Sequence, residues 1–260
     1  MCTLAIFLAS FATTSEKSYA AAHSETTPYN WYCKHMKDGA VPPCDPQMKF
    51  IEKYGGYYID KNATDEKKVI YLTFDAGYEN GNVKAIVDVM KEKNVTGAFF
   101  VLENLVKTNP ELIKEMAENG NLVCNHTASH KDMTKITDKA AFEAELKKLE
   151  TVMKETTGVD CAPYYRPPEG RLSEQNLIWA NELGYKTIMW SFAYVDWDNN
   201  KQMSEDAAIN KVIEGTHNGE VILLHPTSAT NAKIIGSLID KWREMGYTFG
   251  TLDELCGTSR

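Results

Sequence analysis

Asn119-Gly120-Asn121-Leu122-Val123-Cys124-Asn125-His126-Thr127-Ala128-Ser129-His130 is the stretch on which the fold turns. A helical pattern runs into Asn119-Gly120, a pair suited to stopping a helix. Residues 122–125 then read as a short buried strand, and polar residues follow at once. Helix, glycine, strand, then chemistry at the strand's carboxyl end is the rhythm of a parallel sheet. His126 and His130 are spaced to share one face of a helical turn, where each offers a neutral ring nitrogen to a divalent metal. An isolated pair of this kind is more often an ordinary polar strand end. Asp75, Arg166, Asp196 and His225, each at or just past an apolar run, reverse that weighting.

The same rhythm repeats outward from this stretch. Strands are expected at 69–74, 96–101, 122–125, 164–166, 186–190, 221–224 and 247–249. Helices are expected at about 83–93, 109–119, 138–155, from Ser173 to Leu183, 204–214 and 231–245, several ending on glycine. The strands are mostly apolar without alternation, as when both faces are covered. This predicts an α/β protein, a distorted (β/α)7 barrel, closed or incomplete, with an N-terminal wrapping extension. Every polar residue named above falls at a strand's carboxyl end, where barrels place their chemistry.

Three segments are expected: a signal-like segment at 1–22, an extension at 23–67 and a catalytic domain at 68–260. The first holds the apolar run 4–9 and small-x-small cleavage signals at 18–22, without a basic start. It is too short to span a bilayer, so export is expected, with at most an N-terminal anchor and no integral membrane domain. The extension is turn-rich but carries Tyr29, Trp31, Tyr32, Phe50, Tyr54, Tyr57 and Tyr58, too many rings for a disordered linker. A net charge of −8 argues against a nucleic-acid partner. Cysteines stand at 2, 33, 44, 124, 161 and 256 with no C-x-x-C pair, which argues against a zinc cluster or redox motif. Cys33 and Cys44 are close enough in sequence for a disulfide in an oxidising compartment. Cys124 reads as a buried small hydrophobe.

Each companion of the histidines has a plain and a chemical reading. Asp75, in Thr73-Phe74-Asp75-Ala76-Gly77-Tyr78, is a turn aspartate or a general base. Arg166, before Pro167-Pro168-Glu169-Gly170, is a surface arginine in a stiff turn or a two-pronged carboxylate clamp. Asp196, within Trp190-Ser191-Phe192-Ala193-Tyr194-Val195-Asp196-Trp197, caps an aromatic loop or orients Arg166 beside a sugar-binding wall. His225, after Ile222-Leu223-Leu224, is a backbone-bonded ring or a proton donor near neutral pH. His35 and His217 lack such a context.

Together these segments resemble the polysaccharide deacetylases, carbohydrate esterase family 4, whose motif regions occur here in order from about residue 69 onward. His126-Thr127-Ala128-Ser129-His130 matches the family's His-Thr-x-x-His, and the Arg-Pro-Pro-x-Gly and Leu-Leu-His segments support it. The resemblance implies a distorted barrel that removes N-acetyl groups from a sugar polymer. It implies Asp75 as base, His225 as acid, Arg166 and Asp196 as their supports, and His126 and His130 on a divalent cation. Zinc is expected first, with cobalt, manganese or nickel as substitutes. Tyr78, Trp190 and Trp197 are expected to touch the sugar.

The family's first motif usually carries two aspartates, the second a metal ligand; here Ala76 takes that place, so weaker metal binding is expected. Asp75-Ala76-Gly77-Tyr78-Glu79-Asn80-Gly81 and Phe192 to Trp197 resemble a subgroup, the muramic-acid deacetylases of spore-forming bacteria, which act in forming muramic-δ-lactam in cortex peptidoglycan. The expected partner is the peptidoglycan glycan strand. An N-acetylglucosamine deacetylase of peptidoglycan or chitin-like oligomers is the alternative, and a non-catalytic wall-binding protein the second.

Overall fold

The computed structural model describes residues 25–258, so the signal-like segment 1–22 lies outside the described residues. Short strands Tyr29–Asn30 (β1) and Gly56–Tyr57 (β2) precede the long strand Val69–Ala76 (β3). Ala98–Val101 (β4), Leu122–Asn125 (β5), Ala162–Tyr165 (β6), Arg171–Leu172 (β7), Lys186–Ile188 (β8), Phe192–Ala193 (β9), Glu220–Leu224 (β10) and Thr248–Phe249 (β11) follow. The helices are Phe50–Lys53 (α1), Asn82–Glu92 (α2), Glu103–Thr108 (α3), Pro110–Glu118 (α4), Lys139–Thr157 (α5), Glu174–Glu182 (α6), Glu205–Gly215 (α7), Ala229–Glu244 (α8) and Leu252–Cys256 (α9).

The main sheet runs β2-β8-β6-β5-β4-β3-β10-β9, with β11 beside β3, and every pairing in it is parallel. It curls into a half-barrel, the distorted and incomplete form of the expected architecture. All seven expected strands are present. Not anticipated from the sequence were β1, β2, β7, β9, α1, α3 and α9, each no more than six residues long and too brief to show a period.

Alternation along β3 positions the site. Val69, Tyr71, Thr73 and Asp75 fall on one face; Ile70, Leu72, Phe74 and Ala76 fall on the other. The second set packs under α2 and α8 with Val83, Ile86, Ile235 and Leu238 in an apolar cluster. The first set faces the curl's interior, where Tyr71, Phe100, Cys124, Tyr164 and Ile188 close the lower end. Only the carboxyl-end layer stays polar. Caps start the helices where the sequence implied: Asp138, Ser173 and Ser204 each accept a backbone N–H of the first turn.

Residues 29–59 lie against this frame. β1 pairs antiparallel with β7, β2 adds a strand beside β8, and Trp31, Met48, Ile51 and Tyr58 join Leu172 and Trp190 in one cluster. Cys33 and Cys44 stand as separate thiols, so the disulfide suggested by their spacing is absent. Cys124 is fully buried.

Candidate active site

Arg166 leaves the end of β6 and points into the curl with no exposed surface. Its Nη1 donates to Asp75 Oδ1 at 2.8 Å, its Nη2 to Thr73 Oγ1 at 2.8 Å, and its Nε to the Ile188 carbonyl at 2.9 Å. Phe100 lies under the guanidinium, 4.2 Å from ring centre to Cζ. A buried arginine is tolerated because its donors are used and its charge is met. Burial alone would push the Asp75 carboxyl up. The Arg166 charge, aided by His126 and His225, prevails and holds it below the usual carboxylate range. Asp75 is therefore ionised at neutral pH, with Oδ2 turned toward the cleft and 3.6 Å from His126 Nε2.

His225 follows β10. Asp196 grips it twice: Oδ2 accepts the His225 backbone N–H at 2.8 Å and Oδ1 accepts from Nδ1 at 2.7 Å. Asn231, at the start of α8, donates to Asp196 Oδ2 at 2.6 Å and to the His225 carbonyl at 3.1 Å. Burial works against the charged ring, but the Asp196 bond and charge, with Asp75 beyond, raise its pKa above the usual imidazole value. The expected pairing of Asp196 with Arg166 is thus corrected. Asp196 holds His225, while Arg166 is held by Thr73 and by strand-end carbonyls. Thr73, Asn231 and Tyr194, whose hydroxyl meets Asn231 Oδ1, were not anticipated. Thr73 had a signal, since it shares the β3 face of Asp75; Asn231 had none.

His126 and His130 come together, but not on a helix. Their ring centres are 5.1 Å apart, edge to face. The chain between them turns through left-handed backbone at Thr127 (φ 73°) and ends at His130 (φ 56°). A β-branched residue there is a strained outlier of the kind that clusters at functional sites. Asn125 Oδ1 accepts the Thr127 N–H at 2.8 Å, and Thr127 Oγ1 accepts the His130 N–H at 2.9 Å, which pins the turn. His126 Nδ1 donates to the Arg166 carbonyl at 2.9 Å, leaving Nε2 with its lone pair toward Asp75. Burial pushes the His126 pKa down to about 4, against the pull of Asp75, so the ring is neutral at pH 7, as a metal ligand must be.

A cleft of about 800 Å³ opens over these groups. Tyr78, Trp190 and Trp197 all line it, with Leu102 and Leu223 lower down. Trp197 is 62 % exposed at the rim, and Tyr78 is fixed there by a bond from Asn199 to its hydroxyl at 2.7 Å.

The sequence model of the polysaccharide deacetylase family matches residues 62–188. Peptidoglycan-N-acetylmuramic acid deacetylase PdaA of Bacillus subtilis is 37% identical over 257 residues, 98% of this chain and 94% of that protein. The chain belongs to the polysaccharide deacetylase family. The solved structure of B. subtilis PdaA, described as a family 4 carbohydrate esterase, superposes with a TM-score of 0.83 at 38% identity, covering 88% of this chain and 97% of that one. A peptidoglycan-N-acetylglucosamine deacetylase of Bacillus cereus is 30% identical over 218 residues, 82% of this chain and 76% of that protein. As a polysaccharide deacetylase, the chain is a hydrolase of sugar N-acetyl groups.

The family implies a divalent metal, and the donor set here fits one in part. His126 Nε2 is freed for it by the Arg166 carbonyl, and His130 stands beside it. Ala76 supplies nothing: its methyl is fully buried in the apolar cluster under the helices. Among the described residues no group of three or more His, Cys, Asp and Glu is close enough to hold an ion unaided. The imidazoles fit as two donors of a cation whose other positions water or substrate oxygen would fill.

Proposed function

We propose that this deacetylase acts on peptidoglycan, removing the acetyl group of N-acetylmuramic acid on the route to muramic-δ-lactam in spore cortex. The observation that carries the chemistry is the opposite partnering of two neighbours: Asp75 is bonded to the Arg166 guanidinium, which favours its carboxylate, and His225 is gripped by the Asp196 carboxylate, which favours its imidazolium. The choice of substrate is supported by the likeness to B. subtilis PdaA over nearly the whole chain.

In this reading the acetamide enters the cleft between Asp75 and His225, with Tyr78, Trp190 and Trp197 against the sugar. Asp75 Oδ2 takes a proton from a water as its oxygen attacks the carbonyl. Arg166 keeps that carboxylate ionised and aimed, so no reorientation is needed at the moment of reaction. His225 Nε2–H gives its proton to the departing nitrogen, and Asp196 stabilises the imidazolium until then. Acetate and a free amine result. A divalent cation held by His126 and His130, with zinc the first choice, supplies Lewis acidity toward the acetamide oxygen when bound. Export to the cell wall follows from such a substrate and accords with the signal-like residues 1–22. Among the described residues no helix is long and apolar enough to cross a membrane.

Amidase-treated peptidoglycan and chitin oligomers, each incubated with and without chelator, test this by mass spectrometry. Loss of one acetyl group from muramic acid residues, abolished by chelator and restored by zinc, is the expected result. Loss from glucosamine residues instead would favour the second reading, which the likeness to the B. cereus enzyme supports.

A further inference from the structure

The cleft wall opposite the histidine pair is built from two loops, and one segment outside both ties them together. Glu169 and Gly170 line the cleft from the loop after β6, and Trp190, Ala193 and Tyr194 line it from the run through β9. Neither loop bonds the other through its own backbone in any ladder; β9 pairs with β10 and β7 with β1. Residues 29–35 cross the gap. Tyr29 and Asn30 pair with Leu172 and Arg171, and the Trp31 N–H donates to the Gly170 carbonyl at 2.8 Å. From there the segment reaches the second loop by side chains at every other residue. Trp31 Nε1 donates to the Trp190 carbonyl at 2.8 Å, the Cys33 sulfur lies against the Ala193 backbone and the Trp190 indole, and His35 Nε2 bonds the Ala193 carbonyl at 2.8 Å. The His35 ring also stacks on Phe192, centres 5.3 Å apart. The joint is tight: a Cβ on Gly170 would come within 2.7 Å of Trp190 Cη2 and 3.4 Å of Trp31 Cβ.

We propose that residues 29–35 are a positioning strap for the sugar-binding wall, in which Trp31 and His35 set the spacing of the Gly170 and Trp190–Tyr194 loops and thereby the affinity for the glycan. The role rests on the deacetylase reading above, since it names what that wall holds. It separates from the proton chemistry because the strap touches neither Asp75 nor His225. Loosening it weakens substrate binding and leaves the proton-transfer groups in place.

His35 is exposed, so substituting it leaves the core intact. His35→Ala, His35→Gln and Trp31→Phe are compared with wild type for kcat and KM on a defined peptidoglycan oligosaccharide. In parallel, calorimetry gives the Kd of the deacetylated product. Loss of one hydrogen bond predicts that His35→Ala raises KM and Kd together by roughly two- to tenfold, with kcat within about twofold of wild type. His35→Gln, whose amide can still donate, restores both. Trp31→Phe keeps an aromatic ring, removes the indole donor and raises KM and Kd at least as far as His35→Ala does. A purely structural segment predicts instead that kcat falls in step with the folded fraction while KM and Kd stay at wild-type values, and that result overturns the proposal. If wild type binds the oligosaccharide but releases no acetate, the reaction assignment fails, and the calorimetric comparison still decides the strap.

Discussion

The two halves of the cleft floor are held in different ways. On one side Asp75 and His225 each have a charged partner behind them, and those partners are themselves bonded to strand ends and to Asn231. On the other, His126 and His130 depend on a strained five-residue turn, with an exposed His130 and a methyl where the family usually has a carboxylate. The first half is over-determined and the second is open. The difference suggests that proton transfer is built in, whereas cation binding is left to be completed by solvent or substrate.

The comparison breaks most sharply at Asp75. Asp75→Asn should lower acetate release by about 10²–10⁴-fold with an unchanged circular dichroism spectrum, because the base is lost while the shape is kept. Arg166→Met should be nearly as damaging to activity. It leaves a carboxylate buried without its partner, and chemical denaturation should show a loss of about 3–5 kcal/mol. Asp196→Asn should act through His225 alone. Without the neighbouring charge the ring's pKa falls, so the alkaline limb of the rate profile should move toward acid, with activity lost on that limb.

The open half should respond more mildly. His130→Ala should weaken zinc binding in calorimetry while the pH limbs stay where they were, since neither Asp75 nor His225 touches His130. The smallest effect is on stability. Asp75 has a depressed pKa, so its contribution is present above its usual value of 3.8 and is lost as pH falls through the folded value. His225 has a raised pKa, so its contribution is present below 6.5 and is lost as pH rises through the folded value. For these two groups the melting temperature should be highest between those pH values, and Asp196→Asn should flatten the alkaline side.

Much of this arrangement was legible in the chain. Apolar runs closed by glycine located the seven principal strands, and the polar residues at their ends located the floor of the cleft. What periodicity could not reveal was contact between loops. Asp196 lies at the end of a run that reaches β10, so it meets His225, and no spacing in the sequence distinguishes that from a meeting with Arg166. The histidine pair has helical spacing but not a helix, because Asn125 and Thr127 bond the backbone locally and fix a left-handed turn. Asn231 looks like any polar residue in the first turn of a helix until α8 places it beside Asp196.

The claim on which the rest depends is that His225 carries a proton while Asp75, nearby, does not. An NMR titration of the His225 imidazole reads this directly. The account predicts a pKa above 6.5 in the wild-type protein that falls when Asp196→Asn is introduced. A ring that titrates at or below 6.5, unmoved by that substitution, would contradict it.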